Sequence, residues 1–150
     1  MSKYRLQKEI EILNEKIPDA MDTKGNVMKA FVFYGMESSD PHVVMGARTN
    51  ANHAYTIYIE LKNFPLGVPN IYIEKDLKDF KGESLCKTSG SMHTLQSDRD
   101  GWVKICHCSS ENWKPATSLY MLYVKTLLWL NAYDAHIMTG KPIDAVLPHQ

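Results

Sequence analysis

The chain has 150 residues, of which 44% are hydrophobic and 23% charged, with a formal net charge of zero. That length suits a single domain over residues 1–150 with a core of its own. The charge balance disfavours nucleic-acid binding through phosphate neutralisation, which usually needs an excess of Lys and Arg. The apolar runs are too short for a membrane span, and the N-terminus lacks the apolar segment of a secretory signal.

The first element is an amphipathic helix, predicted over residues 3–17. Leu6, Ile10, Leu13 and Ile17 follow one another at spacings of four, three and four, which places them on one helical face. Pro18 ends the helix because proline cannot continue its hydrogen-bond pattern.

Four strands follow, at short spacing. They are predicted where β-branched and aromatic residues are enriched between turn residues. The ranges are 27–35, 42–47, 52–61 and 70–74. Gly35 closes the first strand, and the short connections favour an antiparallel meander.

A long polar stretch, residues 75–101, precedes the last large element. A loop of that length in a small domain usually has a function. Residues 116–139 then predict a long helix, with Thr117 or Ser118 as its N-cap and Gly140 at its C-terminus. The order helix, four strands, long loop, helix indicates an α+β domain.

The chain has three cysteines, an odd number: Cys86, Cys106 and Cys108. Without an export signal, the expected location is the cytoplasm, where thiols stay reduced and a disulfide framework is not expected. Two of the three lie in the segment GWVKICHCSSENWKP, residues 101–115, which therefore holds the candidate reactive thiols.

This segment and YTIYIELKNFPLGVPNIYI, residues 55–73, resemble two parts of the ubiquitin-conjugating enzymes. The earlier segment is similar to the third strand, proline-containing turn and fourth strand of that family. The later one is similar to the segment with the catalytic cysteine. The residues that fit its pattern are Gly101, Ile105, Cys106, Trp113 and Pro115. With the element order, the resemblance covers residues 3–142 and implies a ubiquitin-conjugating-enzyme-like fold.

The sequence LLWLNAYDAHIMTGKP, residues 127–142, resembles bacterial members that accompany cyclic-oligonucleotide anti-phage signalling systems (CBASS). The implied partner is the C-terminus of a cyclic-nucleotide synthase (cGAS-like) or of a ubiquitin-like protein. Some such proteins act without a dedicated activating enzyme, and the sequence leaves open whether this chain needs one. Neither nucleic acid nor membrane is an expected partner, and no cofactor or metal is expected.

One departure from the family pattern concerns the histidine. Most eukaryotic members have a His-Pro-Asn run about ten residues before the cysteine. Here His93 lies thirteen residues before Cys106 and is followed by Thr94 and Leu95. The asparagine that is taken to stabilise the oxyanion in that family is missing from its usual place.

The resemblance implies that the Cys106 thiolate attacks an activated C-terminal carbonyl to form a thioester, which an amine then attacks. Thiols suit this reaction because they remain nucleophilic when only partly ionised. His93 is the second expected catalytic residue, and a cationic His93 or His107 would lower the pKa of the thiol. Asn112 and Thr94 are auxiliary candidates as oxyanion donors.

Three other interpretations remain. Zinc could bind Cys86, Cys106 and Cys108 with His93 or His107, although the spacing forms no paired knuckle. A cysteine hydrolase could use Cys106 with either histidine. An inactive variant of the same fold could hold a partner without forming a thioester, and such a scaffold should tolerate Cys106→Ala.

Overall fold

A computed structural model describes residues 1–147 and has an α+β fold, as the sequence predicts. Within these residues the helices are α1 (Lys3–Lys16), α2 (Leu119–Thr139) and a short 3₁₀ helix (Ile143–Ala145). The strands are β1 (Ala20–Met21), β2 (Val27–Met28), β3 (Phe31–Tyr34), β4 (His42–Arg48), β5 (Ala54–Glu60), β6 (Ile71–Ile73), β7 (Thr94–Leu95) and β8 (Val103–Ile105).

The main sheet has six strands in the order β3-β4-β5-β6-β8-β7. Its pairings are antiparallel, and β3 to β6 form the meander that the sequence predicts. The other two strands, β7 and β8, lie in the ranges 75–101 and 101–115, where the sequence predicted no strand. The pairing of β8 with β6 carries the segment before Cys106 into the sheet.

The predicted strand 27–35 divides into β2 and β3. The amide of Ala30 donates to the Asp19 carboxylate at 3.0 Å, which diverts the backbone between the two strands. β2 pairs instead with β1 in a separate hairpin. Gly35 closes β3 as expected, with a φ of 61°. A Cβ there would lie 2.8 Å from the backbone oxygen of Asp40, so the turn requires glycine.

Both helices begin and end close to the predicted positions. The Ser2 hydroxyl accepts from the Arg5 amide at the start of α1. Ser118, rather than Thr117, caps α2, because its hydroxyl accepts from the Met121 amide at 3.1 Å. Gly140 adopts the left-handed conformation at the end of α2, as expected. Within the described chain, no helix has the length and apolarity needed to cross a membrane.

The core lies between one face of the main sheet and the helices. Alternate strand residues point into it, as the two-residue period of a strand requires. Its buried members include Leu13, Val43, Met45, Ile57, Ile59, Ile71, Ile73, Val103, Ile105, Leu119, Leu122, Trp129 and Leu130. Because Val103 and Ile105 are both buried, β8 is fixed immediately before Cys106.

Candidate active site

Cys106 follows the last residue of β8 and is a free, partly buried cysteine. Its amide donates a hydrogen bond to the carbonyl of His93 at 2.8 Å. This bond continues the register of β7 and β8, in which Thr94 lies opposite Ile105. The structure therefore brings together the two residues that the sequence analysis assigned to catalysis.

Residues 91–93, which we call the 91–93 bridge, connect three parts of the fold. Their three carbonyls accept hydrogen bonds from three separate elements. The donors, in order, are the amide of Asp144, the indole Nε1 of Trp129 and the amide of Cys106, at 2.8, 2.9 and 2.8 Å. His93 has a φ of 54°, in the left-handed region that side-chain-bearing residues seldom adopt. The bridge joins the 3₁₀ helix and α2 to the backbone of Cys106.

The His93 ring is buried, with only 5% of the residue exposed. Its Nε2 lies 3.0 Å from Oδ1 of Asp144, in the 3₁₀ helix. Because an ionised carboxylate only accepts hydrogen bonds, Nε2 carries the hydrogen in this pair. His93 thus binds Asp144 through its ring and Cys106 through its backbone carbonyl.

Thr94 is also buried, beside the 91–93 bridge. Its hydroxyl donates to the carbonyl of Lys87 at 2.7 Å. Its amide and carbonyl are both bonded to Ser89. A role for Thr94 as an oxyanion donor would require the bond to Lys87 to break.

His107, next to Cys106, lies largely inside the protein. Its Nε2 is 2.7 Å from the carbonyl of Pro69, which can only accept, so Nε2 carries the hydrogen. Within residues 1–147, the buried Nδ1 has no hydrogen-bond partner. Burial lowers the pKa of His107 below its ordinary value of 6.5. The ring is therefore held neutral, with the lone pair on Nδ1.

The segment after His107 is fixed by Trp113. The indole Nε1 of Trp113 donates to the carbonyl of Pro65 at 2.8 Å, and its ring contacts those of Phe64 and His107 edge-on. Asn112 lies on an exposed turn, where its amide bonds to Ser109. The Asn112 side chain is thus on the surface of the loop that follows Cys106.

The other two cysteines have separate surroundings. The thiol of Cys108 lies 3.3 Å from the carbonyl of Ser109, and that of Cys86 lies 3.4 Å from Oδ1 of Asp76. Burial, together with the hydrogen bond to Asp76, raises the pKa of the Cys86 thiol. Among the described residues, no three His, Cys, Asp or Glu side chains form a group that could hold a metal ion.

Sequence reasoning missed Asp144 and the hydrogen-bonding role of Trp129. Asp144 follows the predicted helix and belongs to no motif, and Trp129, inside that helix, is buried in the core. Its indole hydrogen still reaches the 91–93 bridge. A buried tryptophan usually needs a partner for that hydrogen, and this was the one available signal.

Comparisons with known proteins found no relative of this chain. No family model matches the chain, and it matches neither a curated protein nor a solved structure.

Proposed function

We propose that this protein is a bacterial ubiquitin-conjugating-like transferase that acts through a thioester on Cys106. Its cargo would be the C-terminus of a ubiquitin-like protein or of a cyclic-nucleotide synthase, in cytoplasmic anti-phage defence. The observation that carries the proposal is the placement of Cys106. It is a free thiol directly after β8, and its amide is held by His93 across the sheet edge.

The surrounding elements support this proposal. The meander β3 to β6 and the later helix α2 follow the order that the family resemblance implies. Trp113, a member of the resembling motif, fixes the segment that follows the cysteine. Hydrogen bonds therefore hold the chain both at the Cys106 backbone and in the segment after it.

The chemistry requires few groups. The Cys106 thiolate attacks the activated carbonyl carbon, the activating group departs, and a thioester remains. An amine nitrogen then attacks that carbonyl, the Cys106 thiolate leaves, and the amine loses a proton as the amide forms. Because a thiol has an ordinary pKa near ~8.5 and leaves readily, positioning of the two reactants can supply much of the rate.

His107 has the chemical form that a proton acceptor requires. Its ring is neutral, and its hydrogen bond to Pro69 leaves the lone pair on Nδ1. Because Nδ1 is buried, it would accept the proton that the attacking amine releases only if the segment around it opened. His93, whose ring is bonded to Asp144, would instead hold the backbone of Cys106.

The second candidate function is a binding scaffold of the same fold. It is favoured by the sites of His93 and Thr94, whose side chains are both buried and bonded away from the cysteine. The His-Pro-Asn run is also absent. Such a scaffold would bind its partner equally well after Cys106→Ala.

Intact-mass measurement under non-reducing conditions separates the two functions. The chain is expressed with its genomic neighbours as wild type, Cys106→Ala and Cys106→Ser, with Cys108→Ala as the matched control. A transferase gives a protein-sized adduct that hydroxylamine removes in wild type and Cys108→Ala, an oxyester in Cys106→Ser, and no adduct in Cys106→Ala. The absence of adducts in all four, with partner binding intact in Cys106→Ala, would establish the scaffold.

A further inference from the structure

We propose that Asp144 is a positioning residue for Cys106, acting through His93 and the 91–93 bridge. Its effect on the cysteine backbone does not depend on the reaction. Its effect on thioester formation rests on the proposed function. Asp144 does not belong to the motifs that carry the family resemblance, and no role was expected for it.

The position of Asp144 is set by its backbone and by its neighbour Ile143. Gly140 turns the chain at the end of α2, and the fully buried Ile143 fixes the 3₁₀ helix against the core. The Asp144 amide then donates to the carbonyl of Ser91 at 2.8 Å. These contacts use the backbone and a neighbouring side chain, so they place Asp144 whatever its own side chain is.

Asp144 is hydrogen-bonded to the 91–93 bridge at two points. While its amide binds the carbonyl of Ser91, the carboxylate of Asp144 lies 3.0 Å from Nε2 of His93. One residue therefore holds the bridge at two points, two residues apart. The Asp144 side chain is 43% exposed and the His93 ring is buried, so this pair lies at the boundary between the protein interior and the surface.

The backbone of His93 has an unfavourable conformation that other contacts must hold. A φ of 54° is unfavourable for a residue with a side chain, and it persists only where surrounding contacts hold it. Two of these contacts are the ring bond to Asp144 and the carbonyl bond to Cys106. Loss of the carboxylate lets His93 relax toward a commoner conformation, and its carbonyl then turns away from the Cys106 amide.

The test is hydrogen exchange of the Cys106 amide, measured by NMR in the full chain. We expect Asp144→Ala to speed this exchange by roughly tenfold, the effect of a weakened hydrogen bond. Asp144→Asn keeps an acceptor oxygen and should restore most of the protection. The amide of Val103, within β8, should keep its wild-type rate in both variants. Asp100→Ala, which removes an exposed carboxylate before β8, is the matched control.

Two outcomes would overturn the inference. One is an unchanged Cys106 exchange rate in Asp144→Ala. The other is an equal acceleration at Cys106 and Val103, which would mean that Asp144 only stabilises the whole fold. Asp144→Ser, which also removes the carboxylate but supplies a polar hydroxyl in its place, is measured in the same way if the alanine variant folds poorly.

Thioester formation gives a separate reading. If wild type forms the adduct, Asp144→Ala should slow its formation by roughly tenfold, and Asp144→Asn should recover it. If wild type forms no adduct, the proposed function fails, while the exchange rate of the Cys106 amide still decides the role of Asp144. If wild type is active, unchanged rates of adduct formation and of Cys106 amide exchange in Asp144→Ala would show that Asp144 does not position Cys106.

Discussion

The indole of Trp113 donates its hydrogen to the carbonyl of Pro65 at 2.8 Å and so joins two loops 48 positions apart in the sequence. Pro65 lies in the connection between β5 and β6, and Trp113 lies in the segment after Cys106. His107, between the cysteine and Trp113, is bonded to Pro69 of the same connection. The conformation of the segment after the cysteine is therefore set by the connection between two core strands.

Trp113→Phe should loosen this segment while keeping most of the aromatic packing. The carbonyl of Pro65 loses its donor, which should lower the free energy of unfolding by about 1 kcal/mol. Cys106 and Cys108 should react faster with iodoacetamide, as followed by peptide mass spectrometry, while Cys86 keeps its rate.

Trp102→Phe is the control for this prediction, because the ring of Trp102 packs against Tyr58 and Tyr72, whereas that of Trp113 packs against Phe64 and His107. Equal alkylation rates at Cys106 in wild type and Trp113→Phe would show that the bond to Pro65 does not restrain the segment.

The second prediction concerns His107 and pH. Burial lowers the pKa of His107 in the folded protein, whereas the unfolded chain has a value near ~6.5. As the pH falls below that value, the unfolded state takes up a proton that the folded state does not. Stability contributed by the neutral ring is therefore present at neutral pH and is lost as the pH falls from ~6.5 toward the lower folded pKa.

His107→Asn removes this contribution and retains an amide that can donate to Pro69. Urea unfolding at pH 8, 7, 6 and 5 should show a smaller loss of stability on acidification in the variant than in wild type. The comparison is made on the difference between the two proteins, since the other histidines are common to both. Parallel curves across this range would contradict a buried neutral His107.

Local periodicity was enough to predict the larger elements. The spacing of Leu6, Ile10 and Leu13 gave α1 to within one residue, and the apolar pattern of 116–139 gave α2 to within three. Periodicity failed for β7 and β8, which have two and three residues. Strands that short contain too few alternations to define a period, and only their partners in the sheet identify them.

The site was predictable only in part for a related reason. Cys106 is marked by its motif, but the bond between His93 and Cys106 depends on the register of β7 and β8. The bond between His93 and Asp144 joins residues 51 positions apart, and no local pattern encodes it. Contacts of this kind follow from the packing of α2 and the 3₁₀ helix, which sequence spacing does not reveal.

Glu9 shows the same limit within α1, and it supports the third prediction. An amphipathic helix usually exposes its charged residues, yet Glu9 is only 2% exposed. One carboxylate oxygen accepts from the amide of Leu119 at 2.6 Å, and the other from Nε of Arg5 at 2.9 Å. Arg5 also donates to the carbonyls of Pro115 and Thr117. The pair joins α1 to the start of α2.

Glu9→Ala should lower the free energy of unfolding by about 3 kcal/mol, since it leaves the buried Leu119 amide without its acceptor and the Arg5 guanidinium without its carboxylate partner. Glu9→Gln keeps one acceptor oxygen and should cost less. Glu11→Ala, on the exposed face of the same helix, should change stability by less than about 0.5 kcal/mol. Urea unfolding of the three variants checks this order, and equal effects of Glu9→Ala and Glu11→Ala would contradict it.

The last prediction concerns Asp134, a carboxylate of α2 that is only 8% exposed. Its Oδ1 accepts from the Tyr55 hydroxyl at 2.9 Å and lies 3.2 Å from Nδ1 of His53. Burial acts to raise the pKa of Asp134, but hydrogen bonds from Thr49, His53 and Tyr55 outweigh it and hold the pKa below 3.8. The ionised form therefore fastens the turn between β4 and β5 to α2.

A lowered carboxyl pKa stabilises the fold above the unfolded value of ~3.9, and that contribution is lost as the pH falls through the folded pKa. Asp134→Asn should accordingly be less stable than wild type at pH 7 and 5, and the difference should shrink by pH 3. Tyr55→Phe removes one of the donors and should show part of the same pH-dependent difference. Urea midpoints at pH 7, 5, 4 and 3 give the measurement. A difference between wild type and Asp134→Asn that is the same at every pH would mean that the ionised carboxylate contributes nothing beyond its hydrogen bonds and packing.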